Sequence, residues 1–237
     1  MFYFLNPGNL FVLLNKASKS IKTIIVPLIV ISLIFSLFIS PKDYIQGDSV
    51  RIMYVHVPSS WIALICFSLI SFLTILNFLF KFKNAFIIYK SLAPIGFAFC
   101  FISIVTGSIW GQPTWGTFWA WDARLTSMLV LFLFYVAYIL TWKIIKVYEK
   151  ANKVSSIIGI IGTLNLPIIR YSVDWWNTLH QPSSITLTSA PSIHYTMLIP
   201  LIIMLIGMLL YSLVIFLMRY KIEVIKFKLN KKKFLNK

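Results

Sequence analysis

The chain has 237 residues, of which 59% are hydrophobic and only 12% charged, and its mean hydropathy is +0.86. A soluble domain of this length cannot hide that much apolar surface, so the composition excludes a soluble enzyme or binding module and indicates an all-α polytopic membrane protein. The net charge of +16 would suggest nucleic acid in a soluble protein; in a membrane protein its distribution sets orientation instead, and it calls for no nucleic-acid partner.

Crossing a bilayer core takes about 20 helical residues. The first apolar stretch of that length runs near 23–40, and no small-x-small cleavage site follows it before Pro41. It is therefore expected to be retained rather than removed as a signal peptide. The next segment, 41–58, contains Arg51-Ile-Met-Tyr-Val-His56-Val-Pro58. Pro58 suits the first turn of a second span at 59–80. His56 then sits just ahead of that helix at the membrane interface. The positive helix end keeps its imidazole neutral and able to bind a metal. The alternative is an interfacial histidine bonded to lipid headgroups or backbone. A third span is expected at 91–109, with Pro94 and Gly96 able to kink it.

Between the third and fourth spans, the segment 110–125 carries Trp110, Trp115, Trp119 and Trp121, closed by Asp122 and Arg124. Gly111, Pro113 and Gly116 are expected to break helix early in this loop. A helical turn from Trp115 onward would then align Trp115, Trp119 and Asp122. Aromatic belts place Trp and Tyr at both membrane interfaces. Here Trp110, Trp115, Trp119, Trp121, Trp175 and Trp176 all fall on one side with Trp61 close to it, and only Trp142 falls on the other. That asymmetry favours a binding surface for a flat, largely apolar ligand. Asp122 and Arg124 either form an ion pair that fixes the loop, or Arg124 binds an anionic group of the ligand, with Arg51 a second candidate.

The fourth, fifth and sixth spans are expected at 126–142, 154–171 and 196–218, with Asn165 and Pro167 able to kink the fifth. Between the last two lies Tyr171-Ser-Val-Asp174-Trp-Trp176-Asn-Thr-Leu-His180-Gln-Pro182. Asp174 is expected to cap a short interfacial helix, closed by Pro182, that sets Trp176 and His180 one turn apart on the same face. His180 is then either an axial metal ligand beside an indole wall or an incidental residue of a surface helix. His194 lacks a Trp context and is read as a headgroup contact. Cys66 and Cys100 lie in apolar runs without metal-ligand spacing and are expected to be buried packing residues.

Eighteen of the 22 Lys and Arg fall in the N-terminus, the 81–90 and 143–153 loops and the tail; only Lys42, Arg51, Arg124 and Arg170 fall opposite. Both termini are therefore expected in the cytoplasm. The basic tail is read as an orientation signal and a contact for anionic lipid in the bilayer. The cytoplasmic loops hold no Gly-rich phosphate cradle, no Cys-x-x-Cys-His motif attaches heme covalently, and no paired carboxylates stand out. The expected chemistry is ligation and transfer rather than enzymatic turnover. Two outer histidines beside a tryptophan surface point to non-covalent heme b; the competing reading is a transporter or permease for heme or a small solute.

The pieces Asp43-Tyr-Ile-Gln-Gly-Asp48, Arg51 through Pro58, Trp110 through Ser127 and Asn165 through Gln181 carry a specific signature, centred on Trp115-Gly-Thr-Phe-Trp-Ala-Trp-Asp122. On these residues, from about 41 to 182, the chain resembles the heme-handling, Trp-rich (WWD) family of membrane proteins, and within it the cytochrome c maturation C branch. The resemblance implies heme bound at the outer, periplasmic face, with His56 and His180 as axial iron ligands flanking the Trp loop. It implies that Trp115 to Asp122 contact the heme and help present it to a periplasmic heme chaperone for cytochrome c biogenesis. The implied partners also include an ABC-type ATPase and permease subunits and a small membrane helper protein. The implied location is the bacterial inner (plasma) membrane, or the mitochondrial inner membrane.

Overall fold

The computed structural model describes residues 23–82, 85–182, 184–185 and 190–235. Lys16, Lys19, Lys22, Lys83 and Lys237, which contribute to the expected orientation, lie outside the described residues, as does the N-terminal segment 1–22. The described chain forms a helix bundle. Its elements are α1 (Thr23–Ile39), α2 (Met53–Phe80), α3 (Phe86–Trp115), α4 (Ala123–Ile144), α5 (Tyr148–Thr163), α6 (Asn165–Trp175) and α7 (Tyr195–Leu235). Among the described residues α2, α3, α4, the α5–α6 pair and α7 are long and apolar enough to cross a membrane, and α1 is a shorter apolar helix.

Two expectations about helix breaks change. α3 runs unbroken through Pro94, Gly96, Gly111 and Pro113 to Trp115. Each proline removes its backbone donor and crowds the carbonyl four residues earlier, yet the helix continues past both. The carbonyl that Pro113 leaves free belongs to Ile109, near the membrane edge. Gly96 is kept small by packing: a Cβ there would stand 1.9 Å from the Tyr135 hydroxyl. In the fifth span, by contrast, the break is at Leu164, whose N–H closes a tight turn on Ile161 O at 3.1 Å. Asn165 then turns its amide to Ser127 O at 2.9 Å, and Pro167 occupies the first turn of α6, where no donor is missed.

Lipid tails give apolar helices no hydrophobic reason to associate, so close approach and hydrogen bonds hold the bundle. Phe67, Ile70, Tyr89, Cys100, Leu131 and Tyr135 form the dry centre where α2, α3 and α4 meet. Ser71 Oγ donates to Gly159 O at 3.0 Å, and Tyr135 Oη donates to Ala63 O at 2.6 Å. Both cysteines are free and buried, as expected. α1 leans on α7, with Leu28, Ile29 and buried Ser32 facing Gly207.

The two ends of the bundle differ. At one end, Lys90 Nζ lies 2.6 Å from Glu223 and over the rings of Trp142 and Tyr148 at 4.7 Å and 5.1 Å. This clamp ties the bases of α3, α4, α5 and α7. The opposite end carries His56, Trp110, Arg124 and His180.

Candidate functional site

A 3₁₀ turn, Asp48–Ile52, leads directly into α2, so the helix starts earlier than expected. His56 therefore lies within the helix rather than ahead of it, and Pro58 sits inside, costing the single bond that its N–H would have made to Tyr54 O. His56, Ser60 and Leu64 share one face of α2. Ser103, Gly107, Trp110 and Thr114 share the facing side of α3. These faces, together with Trp115, Trp119, Arg124, Leu125, Met128 and His180, line a cleft, which Trp121 and Asp122 do not line.

His56 is fixed on three sides. Its Nδ1 lies 3.0 Å from Ser103 O and 3.2 Å from Thr106 Oγ1. A carbonyl only accepts, so Nδ1 carries the proton and the lone pair is on Nε2. The Trp110 ring meets the imidazole edge-on, with centroids 5.8 Å apart. Gly107 lies against the ring, where a Cβ would come within 2.8 Å of Cε1.

The expected helical turn from Trp115 does not form. α3 ends at Gly116, whose left-handed backbone (φ +76°) stops the helix. Residues 117–122 are non-helical, and Asp122 caps α4, its Oδ1 accepting from Leu125 N at 2.8 Å. Its other oxygen accepts from Leu179 N at 3.1 Å. Asp122 thus joins the head of α4 to the segment that carries His180. Asp122→Ala is expected to remove about 1 kcal/mol of cap stabilisation and to loosen His180. Asp122→Asn, which keeps a capping oxygen, should lose less. Thermal unfolding of the detergent-solubilised variants checks this order.

The short helix expected after Asp174 is also absent. Asp174 lies inside α6, which ends at Trp175 as the continuation of a membrane span, and Trp176 is extended (φ −134°, ψ 155°). Trp176 packs edge-on to Trp175 at 5.7 Å and does not line the cleft. The indole nearest His180 is instead Trp115, at 6.3 Å. His180 Nδ1 lies 2.9 Å from Gln181 O, so it too carries its proton on Nδ1 and leaves Nε2 free. Burial, with the Arg124 charge adding to it, holds the His180 pKa below the ordinary histidine value, and the ring stays neutral.

Of the remaining candidates, Trp119 lines the cleft, and its buried indole N–H has no partner among the described residues. Trp121 is 77% exposed and packs edge-on to Trp119 at the rim. Arg124 lines the cleft and donates to Ile169 O; among the described residues no carboxylate, Asp122 included, pairs with it. Arg51 is committed elsewhere, to Asp48 at 3.1 Å and Ser40 O at 3.4 Å, and lies outside the cleft. His194 bonds Thr196 Oγ1 at 2.8 Å and also lies outside. Sequence reasoning missed Gln46, Ser103 and Gly107. The helical spacing of Ser103, Gly107, Trp110 and Thr114 was a usable signal for two of them. Gln46 lay within a quoted motif without an assigned role.

Residues 1–235 match the profile of the family described as heme exporter protein C. The chain belongs to the heme exporter protein C family. It is 43% identical over 77% of its length, and 73% of the relative's, to the heme exporter protein C of Escherichia coli K12. It is 38% identical to that of Haemophilus influenzae over 90% of this chain and 86% of the other. A mitochondrial ccmC-like protein of cytochrome c biosynthesis from Marchantia polymorpha is 39% identical over 83% of both chains. As a heme exporter protein C family member, the chain is a multi-pass inner-membrane component of heme handling for cytochrome c maturation.

Proposed function

We propose that this protein binds heme b non-covalently in the cleft, at the periplasmic face, with His56 and His180 as axial ligands, and delivers it to a periplasmic heme chaperone. The observation that carries the reading is the pair of imidazoles at one cleft, each with Nδ1 at hydrogen-bond distance from a backbone carbonyl, which leaves Nε2 as the ring atom for a metal. This is the arrangement by which an outer carbonyl fixes a metal-binding histidine. Heme supplies an iron with two axial positions and two carboxylates on an otherwise apolar ring. The remaining residues suit such a cargo. Arg124, which donates to Ile169 O and pairs with no carboxylate among the described residues, offers a cation for a carboxylate. Trp119 offers an indole N–H without a partner among the described residues, and Trp110 and Trp115 offer apolar walls.

The Lys90 clamp and Lys146 beside it lie at the other end of the bundle, which supports a periplasmic position for the cleft under the positive-inside rule. Exposed Trp121 and Phe118 at the rim give an incoming chaperone an aromatic surface. No covalent bond needs breaking before hand-over, so ligand exchange suffices and no enzymatic step is required of this chain. The ABC-type ATPase, its permease subunits and the small helper protein complete the proposed assembly. The test is the visible spectrum of the detergent-purified protein, wild type beside the His56→Ala/His180→Ala variant. A low-spin, six-coordinate heme spectrum lost in the variant is expected. A well-folded wild type with no Soret band after heme addition would overturn the reading.

A further inference from the structure

The segment between α1 and α2 is built more firmly than a connecting loop requires. Asp43 Oδ1 accepts from Ile45 N at 2.9 Å and Gln46 N at 2.8 Å. Asp43 and Gly47 exchange backbone hydrogen bonds of 3.2 Å and 2.9 Å, and Gly47 adopts φ +59°, open to glycine at little cost. Asp48 holds Lys42 at 2.6 Å and Arg51 at 3.1 Å. Ser49 Oγ donates back to Gln46 O at 2.6 Å. The tip residues Tyr44 and Ile45 point outward and are exposed.

Among the described residues of this segment, Gln46 is the one that lines the cleft. Its Oε1 accepts from the indole N–H of Trp110 at 2.9 Å. Trp110 is in turn the edge-on neighbour of His56. An indole held only by apolar contact can rock about its side-chain torsions. A hydrogen bond at its polar end fixes the ring plane and hence the wall that the imidazole rests on. The braced turn therefore sets the position of one amide oxygen, and that oxygen sets an indole.

We infer that Gln46 is a positioning residue for the His56 ligand, acting through Trp110. The inference rests on the heme reading above and deepens it. Outer-shell partners of a metal-binding histidine are worth roughly 10- to 100-fold in affinity, and a partner one ring further out belongs at the low end.

The test uses the full-length, heme-loaded protein in detergent, with Gln46→Leu, Trp110→Phe, the double variant and Gln46→Glu, which keeps the accepting oxygen. Two readouts are taken: the rate of heme loss to a heme-scavenging protein, and the low-spin electron paramagnetic resonance signal, which reports the orientation of the axial rings. Gln46→Leu and Trp110→Phe should each speed heme loss about tenfold and broaden the low-spin signal. The double variant should be no worse than the worse single variant, and Gln46→Glu should stay close to wild type. Thermal unfolding of the heme-free variants should match wild type, which a merely structural role would not give. A silent Gln46→Leu, additive effects in the double variant, or equal damage from Gln46→Glu would overturn the inference. A wild-type protein without any low-spin signal would instead sink the heme reading beneath it, and that result is seen before any variant is made.

Discussion

Replacing Gly96 by Ala is expected to destabilise the bundle by about 3 kcal/mol, enough to lower its thermal unfolding markedly in detergent. The added Cβ would lie 1.9 Å from the Tyr135 hydroxyl and 2.3 Å from the ring carbon bearing it. Tyr135 has nowhere to go: it is fully buried, packs edge-on to Phe67 at 5.1 Å, and donates its hydroxyl to Ala63 O at 2.6 Å. Moving the ring strands a buried hydroxyl, at roughly 1–3 kcal/mol, and overpacking adds a similar amount. Gly159→Ala is the internal control, because its Cβ would meet nothing closer than Thr74 Oγ1 at 3.5 Å, an ordinary contact. Tyr135→Leu in the Gly96→Ala background should recover part of the loss. Equal melting of the two glycine variants would contradict the packing argument.

The second large effect concerns the histidines taken singly. His56→Ala and His180→Ala are each expected to reduce heme retention by about 100-fold, the upper end for groups that only support a ligand, whereas His194→Ala should leave it near wild type. The reasons differ by position. His56 is locked on α2 and α3 by Ser103, Thr106, Gly107 and Trp110, so its loss removes the preset half of the site. His180 stands on a non-helical segment tied down by Leu179 N to Asp122, so its loss removes the half that reaches across. His194 is engaged with Thr196 and Tyr195 away from the cleft. Heme content and dissociation rate of the purified variants decide the matter. Equal loss in all three, or in none, would be incompatible with the assignment.

Much of this architecture was legible in the sequence because a membrane imposes few choices. Apolar length marks the helices. Residue type marked His56 and Trp110 for the cleft, although the sequence put one ahead of a helix and the other in a loop, and both lie inside helices. The connecting segments were not legible, because their conformations depend on capping that competes with helix extension. Asp122 reads equally well as a mid-helix residue and as a cap, and only the left-handed Gly116 before it decides. Asp174 was taken for a helix start because of its side chain, yet α6 already runs through it. That reading puts Trp176 beside His180, where the structure has Trp115. Arg51 was misread for a different reason: its carboxylate partner, Asp48, lay three residues away and satisfied it locally.

Hydrogen bonds from a side chain of one helix to a backbone carbonyl of another include Ser71 to Gly159, Tyr135 to Ala63, Asn165 to Ser127, and Arg124 to Ile169. Sliding any of α2, α4, α5 or α6 by one residue would shift its carbonyls by about 1.5 Å and turn them by about 100°. At least one of these bonds would break, and hydrocarbon holds no water to replace it. The bundle therefore behaves as a vernier with a single setting. That setting fixes the height at which His56 on α2 stands relative to the head of α4, and so to the segment carrying His180.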